Sequence, residues 1–148
     1  GTTLLLRSEA NIETAMVSAV VDGDTVVLGN GEMVRLIGID APERGQEGYD
    51  KARDFLISLV QDETVLLERD VENRDKYGRL LRYIWLGDIL VNGEMIKQGH
   101  ARIYPISPNL RYVKVFDDCA QYAKEQAEER KEFRRYLEEL KKEIRKQK

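Results

Sequence analysis

The stretch VVDGDTVVL, residues 20–28, places two aspartates on either side of one glycine inside a run of apolar and β-branched residues. Asp-Gly in such surroundings is a strong short-range signal for a β-hairpin, so the stretch predicts two antiparallel strands joined at Asp22 and Gly23. The turn does not explain Asp24, because aspartate is depleted at the start of a strand. Asp24 is therefore either a solvated residue beside a turn or a residue with a chemical role.

The flanking sequence predicts a small β-barrel with added helices. Three strands over residues 14–21, 25–29 and 33–39 are separated by Asp-Gly and Asn-Gly turns, and two more strands follow at 64–68 and 80–86. Apolar side chains at helical spacing predict a helix between these two groups of strands, over residues 46–60. This order favours a five-stranded OB-type barrel, an α+β fold with a mainly β core.

The last third of the sequence predicts helices. A short helix starts near Val91 and stops at Gly99, and one long pattern rich in Lys, Glu and Arg begins at Tyr112. We therefore divide the chain into an N-terminal extension at 1–13, a barrel domain at 14–126 and a charged C-terminal helix at 127–148.

The C-terminal helix carries an apolar stripe. Phe133, Leu137, Leu140 and Ile144 recur at alternating steps of four and three residues. This spacing predicts one apolar face, which would pack on the barrel or form a weak contact with a second copy of the chain. A solvated, projecting helix is the alternative.

Composition excludes several kinds of chemistry. The 148 residues include one cysteine, Cys119, and one histidine, His100, which excludes an internal disulfide and most zinc sites and leaves catalysis to carboxylates and arginines. No apolar run approaches the roughly 20 residues that cross a bilayer. If a signal peptide has been removed before Gly1, the protein would be secreted or membrane-anchored, so the compartment stays open.

A second stretch with charged residues is VRLIGIDAPE, residues 34–43. Its proline forces the preceding residue out of the helical region, so the chain leaves a strand in an extended turn that carries Asp40 and Glu43. Two carboxylates on such a turn are able to hold a metal. Solvated charges next to a turn explain the same pattern equally well.

The third stretch is NRDKYGRLLRYIW, residues 73–85. A glycine precedes Arg79 at the head of a predicted strand, with Lys76 and Tyr77 beside it. Taken alone, these residues are also typical of an ordinary solvated turn.

In this order and at about this spacing, the three stretches resemble the staphylococcal nuclease-like (thermonuclease) family, whose fold is an OB-type barrel with added helices. The resemblance runs from about residue 14 to about residue 126. It implies a metal-dependent phosphodiesterase that hydrolyses DNA and RNA to leave 3′-phosphates. Related barrels in Tudor-type proteins bind without catalysis, so a non-catalytic binding module is the alternative; those barrels lose the charged positions that this chain keeps.

The resemblance implies a calcium site. Asp24, Asp40 and the backbone carbonyl of Ala41 would bind Ca²⁺, and Glu43 would activate water. Asp22 would lie near the metal but outside its direct ligands. Carboxylate and carbonyl oxygens are the hard donors that such cations prefer. Staphylococcal enzymes commonly have threonine at the position of Ala41, so here the carbonyl is kept and a hydroxyl is lost.

The resemblance also implies a phosphate and substrate site. Arg35 and Arg79 would grip the phosphate, for which the planar guanidinium fork is well suited. Lys76, Tyr77 and Tyr104 would contact the nucleic acid, Tyr104 as the candidate for an aromatic residue on which a base stacks.

The charge balance predicts weak substrate binding. The last 28 residues hold ten basic and seven acidic side chains, which leaves 14 basic and 20 acidic side chains in the first 120. Proteins that bind nucleic acids are usually basic. Binding would therefore depend on a local cationic groove, which we expect Arg35, Lys76, Arg79 and Arg82 to form.

Overall fold

The computed structural model describes residues 11–148. Eight strands and three helices follow one another along this part of the chain in the order β1 (Ile12–Asp22), β2 (Thr25–Leu28), β3 (Met33–Leu36), β4 (Ile39–Asp40), α1 (Tyr49–Val60), β5 (Thr64–Glu68), β6 (Leu80–Leu86), β7 (Ile89–Leu90), α2 (Val91–Lys97), β8 (Arg102–Ile103) and α3 (Val113–Lys146).

Five strands close into a barrel. β1 pairs antiparallel with β2 and with β5, β2 continues to β3, and β5 continues to β6. The two outer strands then pair with each other in parallel, with Val34 opposite Leu80 and Arg35 opposite Leu81. Closure leaves no free edge among these five strands. The five-stranded OB-type α+β fold predicted from the sequence is confirmed.

One hydrophobic core fills the barrel. Val17, Val26 and Leu36 are fully buried on the first three strands. Helix α1 closes the core with Leu56, and α3 contributes Phe116. Each of these aliphatic or aromatic side chains contributes roughly 1.5–3 kcal/mol by leaving water.

The strand predicted over residues 33–39 is interrupted, so that prediction is wrong in detail. β3 ends at Leu36, the chain turns, and β4 starts at Ile39. Gly38 lies in this turn with φ +82°, and a Cβ there would come within 2.5 Å of Phe116 Cε2. The turn needs glycine because of both its backbone conformation and the close approach of α3.

The helix predicted over residues 46–60 starts later, at Tyr49. The residues before it form turns instead. The Gln46 N–H donates to the Glu43 carbonyl, while the Glu43 N–H donates to Gln46 Oε1. These reciprocal bonds hold the chain of the Glu43 loop outside the helix.

Buried Glu68 anchors the start of α3. Its carboxylate accepts hydrogen bonds from Trp85 Nε1 (2.8 Å), Arg111 Nη1 (2.6 Å) and the Tyr112 hydroxyl (2.8 Å). A buried carboxylate needs such partners to offset its desolvation. The chain that enters α3 is thereby fixed to β5 and β6.

Helix α3 continues without a break past residue 126, where the sequence analysis divides barrel from tail. It packs on α2 and β8, and Phe116 is its only fully buried residue. Phe133, Leu140 and Ile144 are 61%, 42% and 48% exposed. Packing of the stripe on its own barrel is therefore contradicted. Within the described residues, no helix combines the length and apolar character needed to cross a membrane.

Candidate active site

The hairpin turn between β1 and β2 packs against the chain that follows β4. A Cβ on Gly23 would lie 2.7 Å from the Ala41 Cβ and 2.8 Å from the Ala52 Cβ. Only glycine allows this approach without displacement of backbone. The turn is closed by the Asp24 N–H, which donates to Asp22 Oδ1 at 3.0 Å. Gly23 therefore brings the two aspartates of the turn to Ala41.

Asp24 is a buried carboxylate, only 6% exposed. Its Oδ2 accepts from the Ala41 N–H at 2.9 Å, and its Oδ1 accepts from the Thr25 hydroxyl at 2.9 Å. Asp24 thus joins two segments that are 17 residues apart. The hairpin leaves Asp24 aimed at the neighbouring segment, and this placement answers why the stretch carries a second aspartate.

Arg35 lies between two carboxylates and two backbone carbonyls. Nη1 donates to the carbonyls of Leu36 (2.7 Å) and Ile39 (2.8 Å). Nη2 lies 3.4 Å from Asp24 Oδ2 and 3.6 Å from Asp40 Oδ1. The side chain is 15% exposed. Its guanidinium is therefore held in place on both sides, and it brings Asp24 and Asp40 close together.

Arg102 binds the other oxygen of Asp40. The β4–β8 pair places these residues opposite each other. Arg102 Nε and Nη2 both donate to Asp40 Oδ2, at 3.0 and 2.9 Å. The sequence analysis missed this residue, because the pairing of two short strands 62 positions apart leaves no local pattern.

The carboxylates around Arg35 carry a surplus of negative charge. Burial, together with a hydrogen bond and charge repulsion from Asp24, raises the pKa of Asp22 to about 6. A bound cation would relieve this crowding. Asp24 and Asp40 offer hard oxygen donors, and Ala41 adds a carbonyl in the adjoining segment, so the donor chemistry fits Ca²⁺ or Mg²⁺.

The expected ligand set contains only two acidic side chains. Residues 11–148 contain no group of three or more His, Cys, Asp or Glu side chains able to hold a metal. With few protein ligands, most coordination positions of a calcium ion would be left to water and substrate.

Glu43 stands on the wall of a cavity next to Asp40. The cavity measures about 540 Å³ and is lined in part by Asp40, Glu43, His100 and Arg102. Glu43 is exposed, and its carboxylate has no hydrogen-bond or ion-pair partner in the described part of the chain. Its side chain is therefore free to act on a water or a ligand in the cavity.

The residues expected to contact phosphate and nucleic acid line a second cavity, which we call the cationic groove. It measures about 540 Å³, and its lining includes Arg35, Lys76, Tyr77, Arg79 and Tyr104. Arg35 belongs to this lining and also contacts Asp40, which lines the Glu43 cavity. The structure thus brings all five residues to one surface. This surface lies beside the carboxylates of Asp22, Asp24 and Asp40, which we call the acidic cluster.

Exposed aromatic rings in the groove carry cations on their faces. Tyr77 is 71% exposed, with Lys76 Nζ 5.2 Å and Arg79 Cζ 5.3 Å from its ring centre. Tyr104 is 43% exposed, with Arg102 Cζ 5.8 Å away. Exposed tyrosine rings of this kind can stack on nucleic-acid bases, and the neighbouring Lys and Arg side chains can form ion pairs with phosphates.

Asp75 orients Arg79 and was also missed by the sequence analysis. Its Oδ2 accepts from Arg79 Nε at 2.7 Å, and its Oδ1 accepts from the backbone N–H groups of Tyr77 and Arg79 at 3.0 Å. Burial acts to raise the pKa of Asp75, but the Arg79 and Tyr77 hydrogen bonds outweigh it and lower the pKa. The Asp-Lys-Tyr-Gly turn, with arginine four residues after the aspartate, is a signal that could have identified it.

The prediction that Arg82 joins the cationic groove is wrong. Arg82 is 5% exposed, and its guanidinium binds Glu13 Oε1 (3.0 Å) and Asn73 Oδ1 (2.8 Å). It lies next to a separate surface depression with Glu13 and Arg69. A buried, fully paired arginine is a structural residue.

Comparison with known proteins identifies the family. The family model described as "Staphylococcal nuclease homologue" matches residues 33–145, well over half of the chain. The chain therefore belongs to the staphylococcal nuclease homologue family, as the sequence resemblance implied. The match continues beyond residue 126, where the resemblance seen in the sequence ends, and includes most of α3.

Individual relatives agree with this assignment. The chain is similar to the thermonuclease of Staphylococcus intermedius, with 41% identity over 109 residues, 68% of this chain and 65% of that protein. It is similar to the thermonuclease of Staphylococcus hyicus at 38% identity, over 71% of this chain and 68% of that protein. It also resembles the endonuclease YncB of Bacillus subtilis at 30% identity, over 80% of this chain and 61% of that protein. The aligned part thus spans about two thirds or less of each relative's length.

Proposed function

We propose that this protein is a metal-dependent nuclease that hydrolyses phosphodiester bonds in DNA and RNA and leaves 3′-phosphates. The observation that carries the proposal is the position of Arg35. It lines the cationic groove and lies within 3.6 Å of Asp40, a residue of the Glu43 cavity. Phosphate-binding groups and a free carboxylate thus lie on two sides of one acidic cluster. The relatives named as thermonucleases and endonucleases support the same activity.

The proposed metal is Ca²⁺, with Asp24, Asp40 and the Ala41 carbonyl as protein ligands. When bound, it would supply a positive charge to a non-bridging phosphate oxygen. The hydrogen bond from the Ala41 N–H to Asp24 Oδ2 supports this set, because it holds the two segments that carry the ligands together.

Glu43 is the proposed general base. Water has to lose a proton as its oxygen forms a bond to phosphorus, and an exposed carboxylate with no partner among residues 11–148 can accept that proton. The bond that breaks is the one between phosphorus and the 5′ oxygen, which takes a proton from solvent and leaves as a hydroxyl, so that the phosphate stays on the 3′ side. The reciprocal bonds between Glu43 and Gln46 hold the backbone of the base in place.

Arg35 and Arg79 are the proposed stabilisers of the negative charge that gathers on the phosphate oxygens. Arg79 lines the groove and uses only Nε on Asp75, so its Nη groups are proposed to bind the phosphate. Arg35 is held on both sides, so its role is to present a fixed charge at the boundary between groove and acidic cluster. Lys76, Tyr77 and Tyr104 are proposed to hold the flanking nucleotides.

The acidic barrel domain leads us to propose that substrate binding is weak and strongly dependent on salt. The favourable charge is confined to the cationic groove, and the rest of the barrel repels a polyanion. The expected kinetic behaviour is a high KM with release of the product after each cut.

The test is cleavage of supercoiled plasmid and of a structured RNA by the purified chain, with Ca²⁺, with Mg²⁺ and with EDTA. The expected result is Ca²⁺-dependent cleavage of both substrates, with products that a phosphatase specific for 3′-phosphates can trim. The control is the Glu43→Gln variant under the same conditions. No cleavage with any metal, combined with retained binding of the nucleic acids, would overturn the proposal in favour of a binding module.

A further inference from the structure

The C-terminal half of α3 presents three separate faces to solvent. On an α-helix each residue advances by roughly 100°, so side chains can be placed around the axis from their numbers. The apolar face, already seen as the stripe, also includes Tyr136, which is 60% exposed and stacks with Phe133 at 6.4 Å. Basic residues follow on one side of this face, and acidic residues follow on the other.

The two flanks of the apolar face carry opposite charges. In heptad notation the a positions are Arg130, Leu137 and Ile144, and the d positions are Phe133, Leu140 and Gln147, so four apolar residues are bounded by one charged and one polar residue. The flanking e positions are Arg134 and Lys141, and Lys148 lies in line with them two residues beyond the end of α3; all three are basic. The flanking g positions are Glu129, Tyr136 and Glu143, which include no basic residue.

We propose that residues 129–148 form a parallel two-stranded coiled coil with a second copy of this chain. In a parallel pair, each g residue faces the e residue five positions later on the partner. Glu129 would face the second copy's arginine at position 134, and Glu143 its lysine at position 148. Both contacts are attractive, and the remaining contact sets Tyr136 against the lysine at position 141. The helix is thus complementary to itself in charge.

An antiparallel pair lacks this complementarity. There the e positions face each other and the g positions face each other. Arg134 would lie against a lysine, and the acidic flanks would also meet, so like charges would gather along both sides of the contact. Like-charge contacts at these positions lower affinity and set orientation.

The barrels do not block a parallel pair. The side chains with which α3 meets the barrel and α2 include Phe116, Cys119 and Ala120. At roughly 100° per residue, this face is turned by about a quarter of a turn from the apolar face of the tail. Each barrel therefore lies to the side of the seam, by which we mean the contact between the apolar faces of the two tails. A two-fold axis along the tails would place the barrels on opposite sides, as closed symmetric dimers require.

The contact is short, so the dimer is weak. Residues 129–148 span about 30 Å and less than three full heptads. Four apolar residues on each chain are covered, which predicts dissociation constants in the micromolar range rather than the nanomolar range. The proposal does not depend on the nuclease activity, because none of these residues lines the cationic groove or the Glu43 cavity.

The first test is sedimentation equilibrium of the full chain over rising concentration. A monomer–dimer equilibrium is expected, and Leu140→Asp should weaken it by about a hundredfold or more, since a charge would be buried in the seam. Lys142→Asp, on the outer face of the same turn, is the matched control and should leave the equilibrium nearly unchanged. A chain that stays monomeric at high concentration, or a dimer unaffected by Leu140→Asp, overturns the proposal.

The second test uses charge. A variant with Glu129→Lys and Glu143→Lys has two basic flanks, and a variant with Arg134→Glu and Lys148→Glu has two acidic flanks. Each alone should dimerise at least about tenfold more weakly, while an equal mixture should form mixed dimers. Failure of the mixture to associate overturns the proposal.

The third test fixes the orientation. Gln147 directly follows α3 and keeps a right-handed helical backbone, with φ −84° and ψ −7°, so Gln147→Cys places a thiol in line with the d positions. Two parallel tails would then form a disulfide under mild oxidation. Lys142→Cys, on the outer face, is the control and should remain reduced at the same protein concentration. A Gln147→Cys dimer that does not cross-link would show that the tails are not parallel and would overturn the proposal.

Discussion

Arg102 holds Asp40 through a single carboxylate oxygen, with Nε and Nη2 at 3.0 and 2.9 Å from Oδ2. The arginine is 73% exposed and the aspartate 29% exposed. An arginine that occupies an oxygen of a proposed calcium ligand competes with the cation for that oxygen. It also adds a positive charge beside the site.

Removal of this arginine should tighten calcium binding. We expect Arg102→Gln to lower the dissociation constant about threefold to tenfold, a modest effect because the pair is exposed. Isothermal titration calorimetry with Ca²⁺ alone measures it without reference to catalysis. Arg44→Gln removes an exposed charge from the neighbouring loop and should change the affinity much less. An Arg102→Gln affinity equal to or weaker than that of the unmodified chain would contradict this prediction.

Loss of the free carboxylate at Glu43 should abolish cleavage without affecting the fold. Glu43→Gln is expected to reduce kcat by about a hundredfold or more, the usual scale for a general base. Thermal melting followed by circular dichroism should be native, because the side chain is exposed. Glu47→Gln, in the same loop, is the control and should cleave normally. Normal cleavage by Glu43→Gln would remove the residue from the mechanism.

The two arginines should respond differently to replacement by lysine. Both variants are expected to lose about a hundredfold in kcat, since lysine keeps the charge but loses the planar fork. Arg35→Lys should also lower the free energy of unfolding by about 1–3 kcal/mol, because Arg35 donates to the carbonyls of Leu36 and Ile39. Arg79→Lys should melt close to the unmodified chain. Denaturant unfolding beside kinetics separates the effects, and equal stability of both variants would show that the backbone bonds of Arg35 contribute little.

The packing of His100 should make the protein less stable in acid. His100 stacks on Phe55 at 4.7 Å, and burial, with repulsion from Lys51, lowers the pKa of its imidazole below 6.5. The unfolded chain therefore takes up a proton at a higher pH than the folded chain does. The contribution of His100 to the free energy of unfolding should therefore fall as pH drops below about 6.5, until the folded imidazole is also protonated, while the raised pKa of Asp22 acts in the opposite direction.

Comparison with His100→Gln isolates this contribution. The variant should lack the part of the decline that begins as pH drops below about 6.5, while the contributions of the carboxylates remain. Urea unfolding at a series of pH values measures the difference. Parallel pH profiles for the two proteins would show that His100 does not contribute.

A methyl group at Gly38 should disturb the contact between the β3–β4 turn and α3. Gly38→Ala combines a positive φ with a Cβ that would lie 2.5 Å from Phe116 Cε2, so a loss of about 2–4 kcal/mol in unfolding free energy is expected. Gly45→Ala is the matched control, with φ +90° and no atom within 4 Å of its Cβ. It should lose only about 1 kcal/mol. Equal losses in the two variants would show that strain in φ, rather than the clash with Phe116, governs both sites.

Local patterns were sufficient to predict the barrel, and most of the charged residues that they singled out lie close together in the structure. The Asp-Gly turn, the alternation of apolar residues and the proline after Asp40 each act within a few positions, and the structure places them as expected. Asp24 could be singled out because a turn alone did not explain it. The coordination and catalytic roles proposed for these residues come from the family resemblance and remain for the experiments above.

The features that escaped prediction depend on contacts between distant segments. Arg102 meets Asp40 only because two very short strands pair, and Arg82 turns away from the groove only because Glu13 and Asn73 bind it. Gly38 was visible as a glycine inside an apolar run, which is a signal for a close backbone approach. The residue it approaches, Phe116, lies on a helix whose position the sequence does not reveal.

The parallel pairing of β3 with β6 has a consequence for the order of events in folding. These strands bring together the chain segments that carry Arg35 and Arg79, yet every hairpin in the barrel is complete without that pairing. Contacts between segments so far apart in sequence carry a large loop-closure entropy and tend to form late. A fragment that contains only β3 or only β6 cannot place Arg35 and Arg79 next to each other. During refolding, recovery of nuclease activity should therefore lag behind recovery of β-structure. The time at which activity returns would report the pairing of β3 with β6.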